Sequence, residues 1–246
     1  MKYSVCIEAL YGKNFLVGLQ EIKGLGIDAF EFWSWWDKDV EQIAAEKERL
    51  GLIVAAICTK FISLVDPSQH DQYLAGLKES IAAAKKLGCK TLISQVGSDT
   101  GKPRPQQHAA LREGAKRAIP MLEENGITLV LEPLNTKVDH PGYYLSSSQE
   151  AFEIVREIGS ERVKILFDIY HQQITEGDVL RNICDNLPLI GHFHAAGNPG
   201  RHELDTGELN YSNIFREVQE RGFQKYFGLE YFPLRRARDG LEKLPR

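Results

Sequence analysis

The chain has 246 residues, 43% hydrophobic and 26% charged, enough for one or two domains whose core needs no disulfide or structural metal. Its 30 Lys and Arg against 34 Asp and Glu leave a net charge of −4, which argues against duplex nucleic acid as the main partner. Three further features fit a cytoplasmic protein outside the membrane: the longest apolar run, Leu52–Cys58, cannot span a bilayer, the N-terminus reaches Glu8 before a signal-peptide core forms, and Cys6, Cys58, Cys89 and Cys184 form no C-x-x-C.

In chain order, short apolar segments alternate with longer amphipathic ones. Tyr3–Glu8 reads as a strand and Phe15–Leu25 as a helix, then Ala29–Ser34 as a strand and Val40–Leu50 as a helix. The rhythm continues with strand Ile53–Thr59, helix Gln72–Leu87, strand Thr91–Gly97, helix Gln106–Asn125 and strand Leu129–Asn135. It ends with helix Ser148–Ile158, strands Lys164–Ile169 and Ile190–Ala195, helix Tyr211–Arg221 and strand Tyr226–Phe232. In the third helix Leu74, Leu77, Ile81, Ala84 and Leu87 recur on one face. Gly51, Gly88 and Gly126 follow helices where a left-handed residue would close them. No linker or composition break divides the chain. Eight βα units predict an α/β fold, a (β/α)8 TIM barrel forming one domain over 1–246. A doubly wound open sheet is the competing architecture, and it lacks its usual G-x-G-x-x-G turn.

A βα barrel carries its chemistry at the C-terminal ends of its strands. Ionisable groups interrupt apolar strands there at Glu132 (Leu-Val-Leu-Glu-Pro), Asp168 (Leu-Phe-Asp-Ile), His192 and His194 (Gly-His-Phe-His) and Glu230 (Gly-Leu-Glu-Tyr). Glu132, Asp168, His194 and Glu230 are each about one βα unit apart, so four consecutive strands would aim one group each at a common point. Three carboxylates could not share a dry barrel mouth unaided, because like charge and desolvation penalise each of them. One divalent metal ion removes the objection; two Glu, one Asp and one His suit Mn or Mg, with Co or Zn as alternatives. A lone Glu at a strand end would instead cap a loop or pair with Arg. His192, two residues before His194 on the same face, would lie one layer deeper as a core histidine. His171, just past Asp168, reads either as a donor to a substrate oxygen or as a surface histidine. Arg201, in the long polar loop after His194, is placed to clamp a substrate carboxylate.

Leu-Glu-Pro-Leu-Asn, Phe-Asp-Ile-Tyr-His-Gln-Gln-Ile-Thr-Glu-Gly-Asp, Asn-Pro-Gly-Arg-His-Glu followed by Thr-Gly-Glu-Leu-Asn-Tyr, and Gly-Leu-Glu-Tyr together resemble the hydroxypyruvate isomerase family of the xylose-isomerase-like TIM barrels. Ketose 3-epimerases and 2-oxo-tetronate isomerases are its relatives. The strong motifs cover 129–233. The resemblance implies that Glu132 and Glu230 are catalytic glutamates that also bind metal, that Asp168 is the metal aspartate, and that His171 and Arg201 contact substrate. His194 departs from the Gln usual in hydroxypyruvate isomerases and matches the His of ketose epimerases. The loop Thr59–Ser68 lacks the Asn-Leu/Met-Pro-x-Gly-type stretch of those isomerases, and the second strand is richer in tryptophan. Trp33, Trp35 and Trp36 would either roof the pocket or pack against helices or a second subunit of a homo-oligomer.

The implied chemistry is proton transfer beside a carbonyl in a small hydroxy-ketone, hydroxy-aldehyde acid or sugar, through an enediolate. Delivery to the neighbouring carbon isomerises; return to the same carbon from the other face epimerises. A ketose 3-epimerase would share every ligand. A non-catalytic sugar- or metal-binding barrel would keep the pocket without needing opposed glutamates. An endonuclease of the same superfamily would need a zinc cluster and a basic groove, which seven scattered histidines and a net charge of −4 do not suggest.

Overall fold

A computed structural model describes residues 1–245. The strands are β1 (Tyr3–Cys6), β2 (Ala29–Phe32), β3 (Ile53–Cys58), β4 (Thr91–Ser94), β5 (Thr128–Leu131), β6 (Val163–Asp168), β7 (Ile190–Ala195) and β8 (Phe227–Leu229). All pair in parallel, in chain order, and β8 closes onto β1, so the expected eight-stranded barrel is the fold observed. Between the strands run α1 (Ile7–Tyr11), α2 (Phe15–Gly24), α3 (Val40–Leu50), α4 (His70–Leu87), α5 (Arg104–Asn125), α6 (Ser148–Ile158), α7 (Ile169–Thr175), α8 (Val179–Asn186) and α9 (Tyr211–Glu220). A short α10 (Ala237–Leu241) follows β8.

The expected strands are all present, but most end early. At β1 the chain turns directly into α1 at Ile7, and β6 turns into α7 at Ile169. These helices, with α8 and α10, are too short to carry a clear apolar period and were not expected from the sequence. Gly88 and Gly126 close α4 and α5 with φ of 68° and 63°, a conformation that costs a residue with a Cβ about 1 kcal/mol or more.

Most of the core lies between barrel wall and helices, where strand residues such as Leu129, Leu131, Phe167 and Phe193 meet the apolar faces of the helices. A second, smaller cluster comprises Ala56, Cys58, Ile93, Val130 and Leu166. Strand alternation puts Val130 on the face of Glu132 and Leu166 on that of Asp168, so this cluster fills the barrel interior beneath them.

Two irregularities set which side chains point inward. Between β2 and β3 the register passes from Phe30–Val54 to Glu31–Ala56, and between β6 and β7 from Ile165–Ile190 to Leu166–His192. Ala55 and Gly191 are the extra residues. At Gly191 a Cβ would come within 2.6 Å of Val130 Cγ1 and 2.9 Å of Lys164 Cβ, so the bulge needs glycine. The bulge lets Ile190 face the outer core while His192, two residues on, faces the barrel interior.

Phe193, on the outer face of β7, is fully buried against Phe223 (4.8 Å between ring centroids), Phe227 (5.4 Å) and Phe167 (6.3 Å). Phe193→Ala should therefore cost about 3–5 kcal/mol in urea unfolding. Val17→Ala, at an exposed position of α2, should change stability by less than about 0.5 kcal/mol. Equal effects would contradict this packing.

Candidate active site

The C-terminal ends of β5 to β8 bring Glu132, Asp168, His194 and Glu230 together. One ligand-type atom from each lies within 4.8 Å of the others, and all four residues are buried. Glu132 and Glu230 sit one residue beyond their strands, held by backbone bonds from Glu132 N to Ser94 O (3.2 Å) and from Glu230 N to Ala195 O (3.1 Å). Asp168 is both the last residue of β6 and the N-cap of α7. Its Oδ1 accepts from the amides of Tyr170 (2.8 Å) and His171 (3.3 Å), which turns Oδ2 into the barrel mouth.

His194 Nδ1 lies 3.3 Å from Glu230 Oε2 and 3.6 Å from Glu132 Oε1. Neither Asp168 Oδ2 nor His194 Nδ1 has a hydrogen-bond partner, although both are buried. Buried polar atoms without a partner are uncommon in folded proteins, and a catalytic or ion-binding role is one of the usual reasons for them. An oxygen-rich set with one imidazole nitrogen fits a divalent cation. These four residues could hold a metal ion.

The protein's own charges show how tightly the site is balanced. Burial raises the pKa of Glu132 and of Asp168, despite His194 beside the one and Arg201 beside the other. Burial also works against the charge of Glu230, but His194, Arg201 and the Trp33 indole outweigh it and lower its pKa. Burial alone would lower the pKa of His194, yet Glu230 and Glu31 raise it well above the ordinary value.

Arg201 reaches this cluster from the loop after β7. Gly197 and His202 exchange backbone hydrogen bonds of 2.8 and 3.3 Å, and the tight turn they close sets Arg201 at φ 58°. Its guanidinium pairs with Glu230, lies 3.6 Å from Asp168 Oδ2, and sits 5.4 Å from the Tyr170 ring centroid. His171 is fully buried; its Nδ1 accepts from Asn135 Nδ2 (2.6 Å) and faces Asn135 N (3.3 Å). Burial and the Arg201 charge lower its pKa well below the ordinary value. The ring is therefore neutral with its proton on Nε2, 3.5 Å from Asp168 Oδ2.

A cavity of about 270 Å³ opens above these groups, lined by Glu132, His171, His194, Arg201 and Glu230 on the polar side and by Trp33, Phe61, Leu134 and Phe232 on the apolar side. The three tryptophans divide between the two roles open in the sequence. Trp33 lines the cavity and its Nε1 donates to Glu230, whereas Trp35 packs against the core and Trp36 meets Phe61 edge-on at 5.1 Å. Glu132, Asp168, His171, His194, Arg201 and Glu230 meet at one mouth, and His192 is buried against Glu31. Sequence reasoning missed Glu31, which bonds His192 Nε2 (2.7 Å) and lies 3.0 Å from His194 Nε2. It also missed Gln95 and His140 in the cavity wall. The available signal for Glu31 was a lone acid between Phe30 and Phe32 in an otherwise apolar strand.

The sequence pattern of the xylose isomerase-like TIM barrels matches residues 19–246. The chain belongs to that family. A hydroxypyruvate isomerase of Escherichia coli is 30% identical over 252 residues, covering 98% of this chain and 97% of the relative. A 2-oxo-tetronate isomerase of Cupriavidus necator is 43% identical over 108 residues, 44% of this chain and 41% of the relative. This xylose isomerase-like barrel is an isomerase, as these relatives are. Among solved structures, a protein titled AP endonuclease, family 2, from Brucella melitensis superposes with a TM-score of 0.93 at 26% identity, over 98% of this chain and 96% of that one. A D-psicose 3-epimerase of Clostridium cellulolyticum, solved with D-tagatose, has a TM-score of 0.81 at 18% identity, over 94% of this chain and 85% of its own, a likeness of fold.

Trp33 touches Glu230, so Mn2+ in the cluster should quench its emission by contact-range paramagnetism. Titrating Mn2+ should quench part of the tryptophan fluorescence of the native protein and almost none of that of Trp33→Phe, in which Trp35 and Trp36 remain. Equal quenching of both would place the ion elsewhere.

Proposed function

We propose that this isomerase is divalent-metal-dependent and moves a proton between adjacent carbons of a small hydroxy-ketone acid such as hydroxypyruvate, through an enediolate. The observation that carries the reading is the meeting of two glutamates, an orphaned aspartate oxygen, an imidazole and a partly buried arginine at one small cavity. Glu132, Asp168, His194 and Glu230 would hold the ion, Mn or Mg by the hardness of the set, and when bound it supplies Lewis-acid polarisation and charge for the developing oxyanion.

The chain's own residues would do the rest. Arg201 binds the substrate carboxylate, exchanging its pairing with Glu230 for a bidentate contact. His171 donates its Nε2 proton to a substrate oxygen, its ring fixed by Asn135. Glu132 and Glu230, on β5 and β8, reach the cavity from different sides, so one removes the α-proton while the other delivers one. Trp33, Phe61, Leu134 and Phe232 keep water from the intermediate. A cavity of about 270 Å³ suits a substrate of a few carbons. That size and the net charge of −4 weigh against a DNA substrate. We assign one domain over 1–246 and, from four free cysteines, a cytoplasmic setting.

One observation favours a second reading. His194 stands where ketose epimerases carry His, so a ketose 3-epimerase on the same centre is the alternative.

Incubation in deuterated solvent with Mn2+ or Mg2+ should put deuterium into hydroxypyruvate, and metal removal should abolish exchange. Glu132→Gln should lower the rate by about 10²–10⁴-fold. Exchange into free ketoses but not hydroxypyruvate would favour the epimerase; no exchange with any of them would overturn the proposed substrate class. Arg201→Lys should raise KM for the acid about tenfold, a loss of ~1.4 kcal/mol, and leave a neutral ketose nearly unaffected. An equal effect on both would remove Arg201 from the carboxylate.

A further inference from the structure

Beneath the four-residue cluster lies a polar group that the proposed chemistry does not use. Glu31 projects from β2 into the barrel and is 1% exposed. Its Oε2 accepts from His192 Nε2 (2.7 Å) and Ser4 Oγ (3.1 Å), while its Oε1 lies 3.0 Å from His194 Nε2. A buried carboxylate costs several kcal/mol to desolvate, about as much as its partners can return, and apolar side chains of similar volume usually serve stability as well. The barrel nonetheless makes room for this one. At Gly228, on β8, a Cβ would stand 2.3 Å from Glu31 Oε1 and 2.6 Å from His194 Cδ2, so the neighbouring strand carries no side chain where the two meet.

We propose that Glu31 is a positioning residue for the metal centre: facing His194 Nε2 at 3.0 Å, it accepts the Nε2–H when the ion is bound and so fixes the ring with Nδ1 between Glu132 and Glu230. The inference rests on the reading of Glu132, Asp168, His194 and Glu230 as metal ligands. A metal-binding imidazole commonly donates its other N–H to a carboxylate, which fixes the tautomer and ring plane and strengthens the ligand. Here neither ring nitrogen has a hydrogen-bond partner: Nε2 faces Glu31 Oε1, itself without one, at 3.0 Å, and Nδ1 faces the carboxylates of the mouth. His192 and Ser4 anchor the far oxygen of Glu31, so the carboxylate cannot turn away. The 2.7 Å contact between His192 Nε2 and Glu31 is a hydrogen bond, whereas the 3.0 Å contact of His194 Nε2 has the length of one without its alignment, so a small turn of the ring would complete it.

The test is titration with Co2+, followed by calorimetry and by visible absorption, on the native chain, Glu31→Gln and Asp168→Asn. The native chain should bind one equivalent, and Asp168→Asn should lose most of that binding. Glu31→Gln, which keeps the side chain's shape, should bind about 10–100-fold more weakly with a changed absorption band. Glu31→Gln with native affinity and spectrum, beside a defective Asp168→Asn, would overturn the role of Glu31 and leave the metal centre standing. A native chain that binds no Co2+ would overturn both. Two equivalents, one of them lost in Glu31→Gln, would make Glu31 a ligand of a second ion and overturn the positioning role. Should Glu31→Gln not fold, ring 15N spectra of the Zn2+-loaded native chain decide. His194 protonated at Nε2 and metallated at Nδ1 supports the proposal, and the reverse overturns it.

Discussion

Three carboxylates buried in one barrel mouth can be ionised together only if positive charge stands among them. Around Glu132, Asp168 and Glu230 the chain supplies that charge from His194 and Arg201, and the rest of the site follows from this balance. Arg201 is turned inward by a tight loop, and His194 is aimed by the strand beneath it. Asp168 Oδ2 and His194 Nδ1 nonetheless stay without a hydrogen-bond partner, and ligand-type atoms of all four residues lie within 4.8 Å of one another, a grouping that could hold a metal ion.

The fold delivers these groups through closure and two local irregularities. A closed parallel barrel aims the ends of β5 to β8 at one point, so residues distant in sequence become neighbours. The extra residue at Gly191 reverses the facing of β7 part-way along, leaving Ile190 in the outer core and both histidines inside. The shift at Ala55 seats Ala56 and Cys58 in the interior beside Ile93, Val130 and Leu166. The interior thus holds small apolar side chains in one sector and the Glu31–His192–Ser4 group in another, with the reactive groups above both.

Much of this was legible in the chain because barrel strands are short, apolar and punctuated. Glu132, Asp168, His194 and Glu230 stood out as ionisable groups ending apolar runs, and the spacing of one βα unit made their convergence predictable. Strand ends were less legible: Cys6-Ile7-Glu8 reads as continuous alternation, but the chain leaves the sheet at Ile7 to form α1. Glu31 was missed for a different reason. Flanked by Phe30 and Phe32 it looks like the polar face of a half-exposed strand, and only closure of the barrel buries that face against His192 and His194. The roles of Trp33 and Trp36 were equally open, because helical packing and cavity lining both call for an aromatic and only geometry separates them.

The most direct test of the account is a crystal grown with Mn2+ and measured at the manganese absorption edge. One anomalous peak is expected, bounded by oxygens of Glu132, Asp168 and Glu230 and by Nδ1 of His194. A peak elsewhere, or none at saturating Mn2+ with Arg201 still bridging Glu230 and Asp168, would contradict it.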